Sequence, residues 1–348
     1  DMEMSFVNRE DVFEITSGLM RTIFAEADIE VPEEIEKMSY QEAMDRFGTD
    51  KPDLRFEMEL KDISDVVAES DFNIFSGTVS SGGQVKGINF KGGADSPRSL
   101  IDSFEEHVKL FKAKGLAWMA LRPDELKSPI AKFLSGEEIE GIKDKMDAEE
   151  GDLLLIVADK PSVVAAALGN LRLKIAKEND LIPSEVYKFV WIIDFPLFEY
   201  DEDEDRFAAK HHPFAAPVEE DIDKLSSDPA SVRANAYDLV LNGEELGGGS
   251  IRINNRKLQE KVFSALSLTE EEQQEKFGFL LEAFDYGTPP HGGIAFGLDR
   301  LMMITARTDS IRDVIAFPKT QRATSPLTNA PSKVAKKQLK ELGISIRS

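Results

Sequence analysis

The chain has 348 residues, and its 65 Asp and Glu against 42 Lys and Arg give a formal charge of −23. An apolar share of 41% is enough for sizeable cores and excludes a disordered polymer, and the length fits two domains or one domain carrying a large insertion. The absence of cysteine excludes disulfides, thiolate metal sites and cysteine nucleophiles, while the acidic balance argues against broad binding to nucleic-acid phosphates.

Residues 1–6 alternate and read as the end of a strand with Met2, Met4 and Phe6 on one face. They are acidic where a secretion signal is basic and then apolar, and no apolar run reaches the length of a membrane span. Neither a targeting segment nor a membrane partner is expected. Asn8 is a candidate N-cap for a helix with the stripe Val12, Phe13, Ile15, Leu19, Met20, Ile23 and Phe24. Ser39 and Glu42 have capping-box spacing for a short helix that Gly48 ends, and Lys51-Pro52-Asp53 then breaks the chain, which sets a boundary near residue 56. From 57 to 160, β-rich runs at 75–79 and 85–90, a helix over 98–114, a solvated acidic stretch at 137–152 and an all-apolar strand at 153–157 describe a self-contained α+β unit. A helix follows Pro161 to residue 176, then a strand over 188–194. The remainder to residue 300 reads mostly as strands, with Asn242-Gly243 turning an antiparallel hairpin.

Three clusters carry chemistry. Across the hairpin turn, Asp238 and Glu245 come close enough to hold Mg²⁺, a cation that prefers a few carboxylates together with substrate phosphate oxygens. The run Gly247-Gly248-Gly249 allows close approach of a ligand. Arg252 lies seven residues beyond Glu245, on the opposite face by strict alternation, and a bulge in the glycine run restores a common face. A hairpin with solvated acids and a flexible glycine bulge accounts for the same residues. In the second cluster, 286–300, a strand runs through Gly297 into a helix that presents Arg300 in its first turn, beside backbone N–H groups that suit an anion. A helix-start Arg paired with Asp299 is the plain alternative. The third, Lys210-His211-His212-Pro213-Phe214, lacks the spacing and partners of a zinc site and fits one His facing a carboxylate substrate. His107 reads as structural, and no serine triad or nucleophile elbow is present.

These residues resemble those of bacterial-type aspartyl-tRNA synthetases, a class II family. The resemblance covers essentially the whole chain: DMEMSF at 1–6, similar to the end of motif 2; FGTDKPDLRF at 47–56; KHHPFAAP at 210–217; AYDLVLNGEELGGGSIRI at 236–253; HGGIAFGLDRLMM at 291–303, similar to motif 3; and RDVIAFPKTQ at 312–321. It implies an α+β fold, a class II antiparallel sheet flanked by helices. The catalytic core would occupy 1–56 and 161–348, and 57–160 would be the smaller inserted α+β domain shared with tRNA-dependent amidotransferases.

The activity the resemblance implies is ATP-dependent activation of L-aspartate and transfer to tRNA(Asp), with tRNA(Asn) a second candidate, in a cytoplasmic enzyme that is a homodimer at full length. Asp238, Glu245 and Ser250 would hold Mg²⁺, and Glu245 with Gly297, Leu298, Asp299 and Arg300 would bind ATP. Arg252, His211 and Asp1 would bind aspartate, with no side chain acting as nucleophile. The sequence begins within motif 2, so the ATP-binding Arg of that motif, motif 1 and the anticodon-binding barrel are expected to be missing and the chain alone to be inactive or severely impaired. Two other readings stay open: a class II paralogue that forms an aspartate amide, which would have no use for 57–160, and a non-catalytic tRNA- or protein-binding module.

Overall fold

The computed structural model describes residues 1–347 of the chain. Its larger unit, residues 1–295, contains two large sheets with separate hydrophobic cores and a two-stranded hairpin, Phe198–Asp201 with Arg206–Ala209. The first sheet has six strands: β1 (Met2–Ser5), β2 (Glu36–Ser39), β3 (Phe189–Ile193), β4 (Ala236–Leu241), β5 (Glu244–Ile251) and β6 (His291–Phe296). Their spatial order is β1-β6-β5-β4-β3-β2. β1 with β6, β5 with β4 and β4 with β3 run antiparallel, and the edge pair of β2 and β3 runs parallel.

Helix α1 (Arg9–Ala25) covers one face of this sheet. Asn8 accepts from the amides of Glu10 and Asp11, and Asp11 returns a bond to the Asn8 amide, a capping box worth about 1 kcal/mol. Phe13 stacks on Trp191 at 4.3 Å and meets Tyr237 edge-on at 5.2 Å. The expected stripe needs correcting: Ile15 and Leu19 face solvent while Thr16 and Ser17 are buried. Residues 13, 16, 17, 20 and 24 make the row that a 3.6-residue period lays on the sheet, and polar side chains occupy part of it. Phe6 also departs from expectation, leaving the strand at φ 60° with its ring exposed. Helix α2 (Tyr40–Phe47) starts on Ser39 and ends on Gly48 in the left-handed conformation. It lies on the other face, with Val190, Ile192 and Val240 beneath it in the same core.

The second sheet is antiparallel, in the order Lys61–Asp62, Gln84–Phe90, Leu153–Asp159, Ala117–Leu121, Leu126–Lys127. Its central strand is buried on both faces: Leu153, Leu155 and Val157 enter one core, Leu154 and Ile156 another. Residues 75–79, read as a strand, belong to a helix, Asn73–Ser80, because Phe75 and Val79, four residues apart, share a face under either period. Two helices, Arg256–Ala265 and Glu270–Asp285, likewise occupy ground read as strands, each started by a side-chain cap, from Asn255 and Thr269.

Helix α3 (Pro161–Glu178) packs Val164, Leu168, Leu171 and Ile175 into the core of the second sheet. It also approaches the end of α2 so closely that a Cβ on Gly169 would stand 2.8 Å from the Phe47 carbonyl oxygen, and one on Gly48 2.3 Å from that of Ala165. Arg172 of α3 is fully buried and donates to the carbonyls of Asp53, Phe56, Glu57 and Met58 at 2.8–3.2 Å. Its guanidinium lies 3.9 Å from the centre of the Phe56 ring and 5.1 Å from that of Phe47. Burial pushes its pKa down, opposed by Asp53 and Glu59. The second unit begins at Phe296 and contains the helices Leu298–Thr305 and Lys336–Glu341. Among the described residues no helix is long and apolar enough to cross a membrane.

Replacing Arg172 by Met leaves those four carbonyls without their donor while keeping most of the side-chain volume. Urea unfolding is expected to show a loss of about 3 kcal/mol or more; a loss of a few tenths would mean that the pin is dispensable.

Candidate functional site

The β4–β5 hairpin turns on Asn242 and Gly243, both at positive φ, 55° and 89°, as a two-residue turn of this hand requires. Leu241 opposes Glu244 and Val240 opposes Glu245, but Leu239 opposes Gly247, so Leu246 is an extra residue. This bulge changes the parity of everything beyond it. Asp238 opposes Gly248 and Ala236 opposes Ser250, and partners across a ladder share a face. Asp238, Glu245, Gly248 and Ser250 therefore look the same way, and Arg252, two residues beyond Ser250, joins them: its Nη1 donates to the Ser250 Oγ at 2.6 Å. The bulge expected from the sequence is present, at the head of the glycine run.

Each glycine answers to a different neighbour. A Cβ on Gly248 would stand 2.4 Å from Asp238 Oδ1 and 3.6 Å from Glu245 Oε1, so the two carboxylates lean over the same bare backbone. Gly249 faces the other way, where a Cβ would meet the Gly293 carbonyl oxygen at 1.9 Å, and the buried Tyr237 hydroxyl donates to that same oxygen at 3.0 Å.

Segment 210–217 is held beside the end of β5. The Ile253 amide donates to the Phe214 carbonyl at 2.9 Å, the Ala216 amide to that of Ile251 at 2.8 Å, and Gln259 Nε2 to that of Pro213 at 2.8 Å. His212 thereby meets Arg252, Nε2 to Nη1 at 2.6 Å, while its Nδ1 accepts from the Phe214 amide at 3.2 Å. Two donors converge on one imidazole. The neutral ring has a lone pair for one of them and a protonated ring for neither, and burial, then Arg252 and His211, push its pKa down to about 4. His211, the histidine selected from the sequence, packs its ring edge-on to Phe195 at 5.0 Å. The surrounding protein lowers its pKa, Lys210 adds to the shift, and Asp50 and Glu245 oppose it.

On the far side of Arg252, Nη2 donates to Glu3 Oε1 at 2.7 Å. Glu3 was not singled out from the sequence, although period-two alternation puts it on the same face as Asp1, which is exposed just ahead of β1. His212 and Tyr237 were given no role either, whereas Gly248 lies in the glycine run expected to let a ligand approach. Gly297 precedes the helix Leu298–Thr305, with Leu298 exposed and Asp299 and Arg300 in the first turn; these four residues belong to the second unit. Among the described residues no three His, Asp or Glu gather as a metal cage. Two carboxylates over an open backbone fit Mg²⁺, which completes its shell with water and phosphate oxygens, better than a metal that needs an all-protein site.

The family model of the class II tRNA synthetases (D, K and N) matches residues 1–321. The chain belongs to that family. An aspartate–tRNA(Asp/Asn) ligase of Halothermothrix orenii is 69% identical over 346 residues, 99% of this chain and 59% of that protein. An aspartate–tRNA ligase of Clostridium botulinum is 55% identical over 99% of this chain and 58% of its own length. This class II synthetase chain thus spans about three fifths of the curated relatives it matches. An asparaginyl-tRNA synthetase of Entamoeba histolytica, solved with asparaginyl-adenylate, aligns over 93% of this chain and 47% of its own, at 14% identity and a TM-score of 0.40.

The His212 shift sets the sign of a pH effect on this synthetase chain. Its folded pKa, about 4, lies below the ordinary 6.5, so between these values the unfolded chain binds a proton that the folded one does not. Stability is present above pH 6.5 and lost as pH falls toward 4. Urea midpoints are expected to drop across that window, and His212→Gln to flatten part of the drop; an identical slope in the variant would contradict the shift.

Proposed function

We propose that this chain supplies the aspartate- and ATP·Mg²⁺-binding face of an aspartate–tRNA ligase. The observation that carries the reading is the gathering of Asp238, Glu245, Ser250 and Arg252 on one face of the sheet by the Leu246 bulge. In the reaction, the α-carboxylate of L-aspartate attacks the α-phosphorus of ATP and the bond to pyrophosphate breaks; the terminal ribose hydroxyl of a tRNA then attacks the aspartyl carbonyl of the adenylate and AMP leaves. The name of the Halothermothrix orenii relative points to tRNA(Asp) and tRNA(Asn).

Asp238 and Glu245, assisted by Ser250, would hold Mg²⁺, which when bound neutralises charge on the ATP phosphates. Glu245 would also contact ATP. Arg252 binds the side-chain carboxylate of aspartate through its two-pronged guanidinium. The Ser250 hydroxyl and the neutral His212 ring fix one prong, and Glu3 holds the other until substrate arrives. His211 closes over the same substrate, and Asp1 faces its ammonium group. These side chains bind and orient; the nucleophile is the substrate itself.

Calorimetry on the chain as it stands tests this. L-aspartate is expected to bind, and Arg252→Lys, which keeps the charge and loses the fork, to weaken it by more than about tenfold. Gly248→Ala pushes a methyl group against the Asp238 carboxylate and is expected to weaken Mg²⁺·ATP while leaving aspartate binding and stability nearly unchanged. Undiminished aspartate binding by the Arg252 variant would overturn the assignment.

A further inference from the structure

The formal charge of −23 conceals a division. Residues 307–348 carry nine Lys and Arg against three Asp and Glu, a charge of +6, which leaves −29 on residues 1–306. The proposed reaction uses none of these nine cations, and all of them belong to the second unit. Every one is exposed. In the larger unit Arg46 has Glu42 and Glu59 as partners, and Lys109 has Glu105 and Glu106. Here, Arg307 apart, the cations form no ion pair among the described residues.

Local structure presents these charges. The Thr320 amide donates to the Thr324 carbonyl at 2.9 Å and closes the turn that carries Arg322. Lys336, Lys337 and Lys340 stand on the helix Lys336–Glu341, where spacings of three and four put them along one side. Solvated cations without partners repel one another, and a polyanion that binds them releases its own condensed counterions. Of the polyanions, RNA fits best. A bilayer binds a basic helix through a broad apolar face, and this helix has one apolar residue, Leu339. An acidic peptide makes no stack with a bare aromatic ring, whereas an unpaired base does: Phe317, 64% exposed, stands between Arg312 and Lys319 in the chain.

We infer that residues 312–347 form an RNA-binding surface, with the cations on backbone phosphates and Phe317 under an unpaired base. The choice of RNA rests on the transfer to tRNA proposed above. The phosphate contacts carry no sequence preference, so they hold and position an RNA without selecting it.

The test is fluorescence anisotropy of the full chain with a labelled RNA hairpin that ends in a single-stranded tail, without ATP or aspartate. Binding is expected, and it is expected to weaken about a hundredfold between about 50 and about 200 mM salt, the loss that about four phosphate contacts give. Combining Lys333→Gln, Lys336→Gln, Lys337→Gln and Lys340→Gln is expected to weaken RNA binding at the lower salt about tenfold or more and to flatten its salt dependence. L-aspartate binding by that variant, followed by calorimetry, is expected to stay unchanged. Phe317→Ala is expected to weaken RNA binding about fivefold at an unaltered salt slope. No binding at the lower salt, undiminished affinity in either variant, or tighter binding to phosphatidylserine vesicles or to polyglutamate would each overturn the inference. Only the calorimetry reports on the aspartate site, so this inference and the proposed function fail separately.

Discussion

The bulge at Leu246 decides which side chains of the hairpin meet, because one extra residue inverts the facing of every residue beyond it. Without it Glu245 would look away from Ser250 and Arg252, and the two carboxylates and the guanidinium would never share a surface. Two features hold the bulge in place. Leu246 itself is fully buried, so a slip of register would expose its side chain and drive a charged neighbour inward. The Asn242-Gly243 turn, with both residues at positive φ, fixes the count of residues from the other end.

The second constraint is the buried guanidinium of Arg172. It collects the carbonyls of 53–58, the stretch by which the chain leaves the six-stranded sheet for the smaller one, and it does so from a helix whose apolar side belongs to the smaller sheet's core. Gly48 and Gly169 let that helix touch the end of α2 backbone to backbone. Asp50, between Gly48 and the pinned carbonyl of Asp53, opposes the downward shift of His211.

Much of this was legible in the sequence where local chemistry dictates local structure. Asn8 and Ser39 cap the helices they were expected to cap, Asn242-Gly243 turns the hairpin, and the uninterrupted apolar run at 153–157 is the doubly buried strand. Period alone failed at 75–79, where Phe75 and Val79, four residues apart, share a face in a helix as well as in a strand, and at 256–285, where strand expectation carried over from neighbouring hairpins hid two capped helices. At the site, Asp238, Glu245, Ser250 and Arg252 were found from spacing and from family resemblance. Glu3 and His212 were not, because their roles depend on β1 and segment 210–217 arriving beside Arg252 from distant parts of the chain. Alternation from Asp1 could have signalled Glu3. Nothing in the sequence distinguishes His212 from His211.

The central claim is that Asp238 and Glu245 form a metal–nucleotide site over Gly248. It is tested most directly by paramagnetic NMR, with Mn²⁺·ATP replacing Mg²⁺·ATP on the ¹⁵N-labelled chain. Signals of residues 238, 245 and 248 are predicted to broaden first and most, in a pattern that excess Mg²⁺·ATP reverses. Broadening centred elsewhere, with these three residues untouched, would contradict the account.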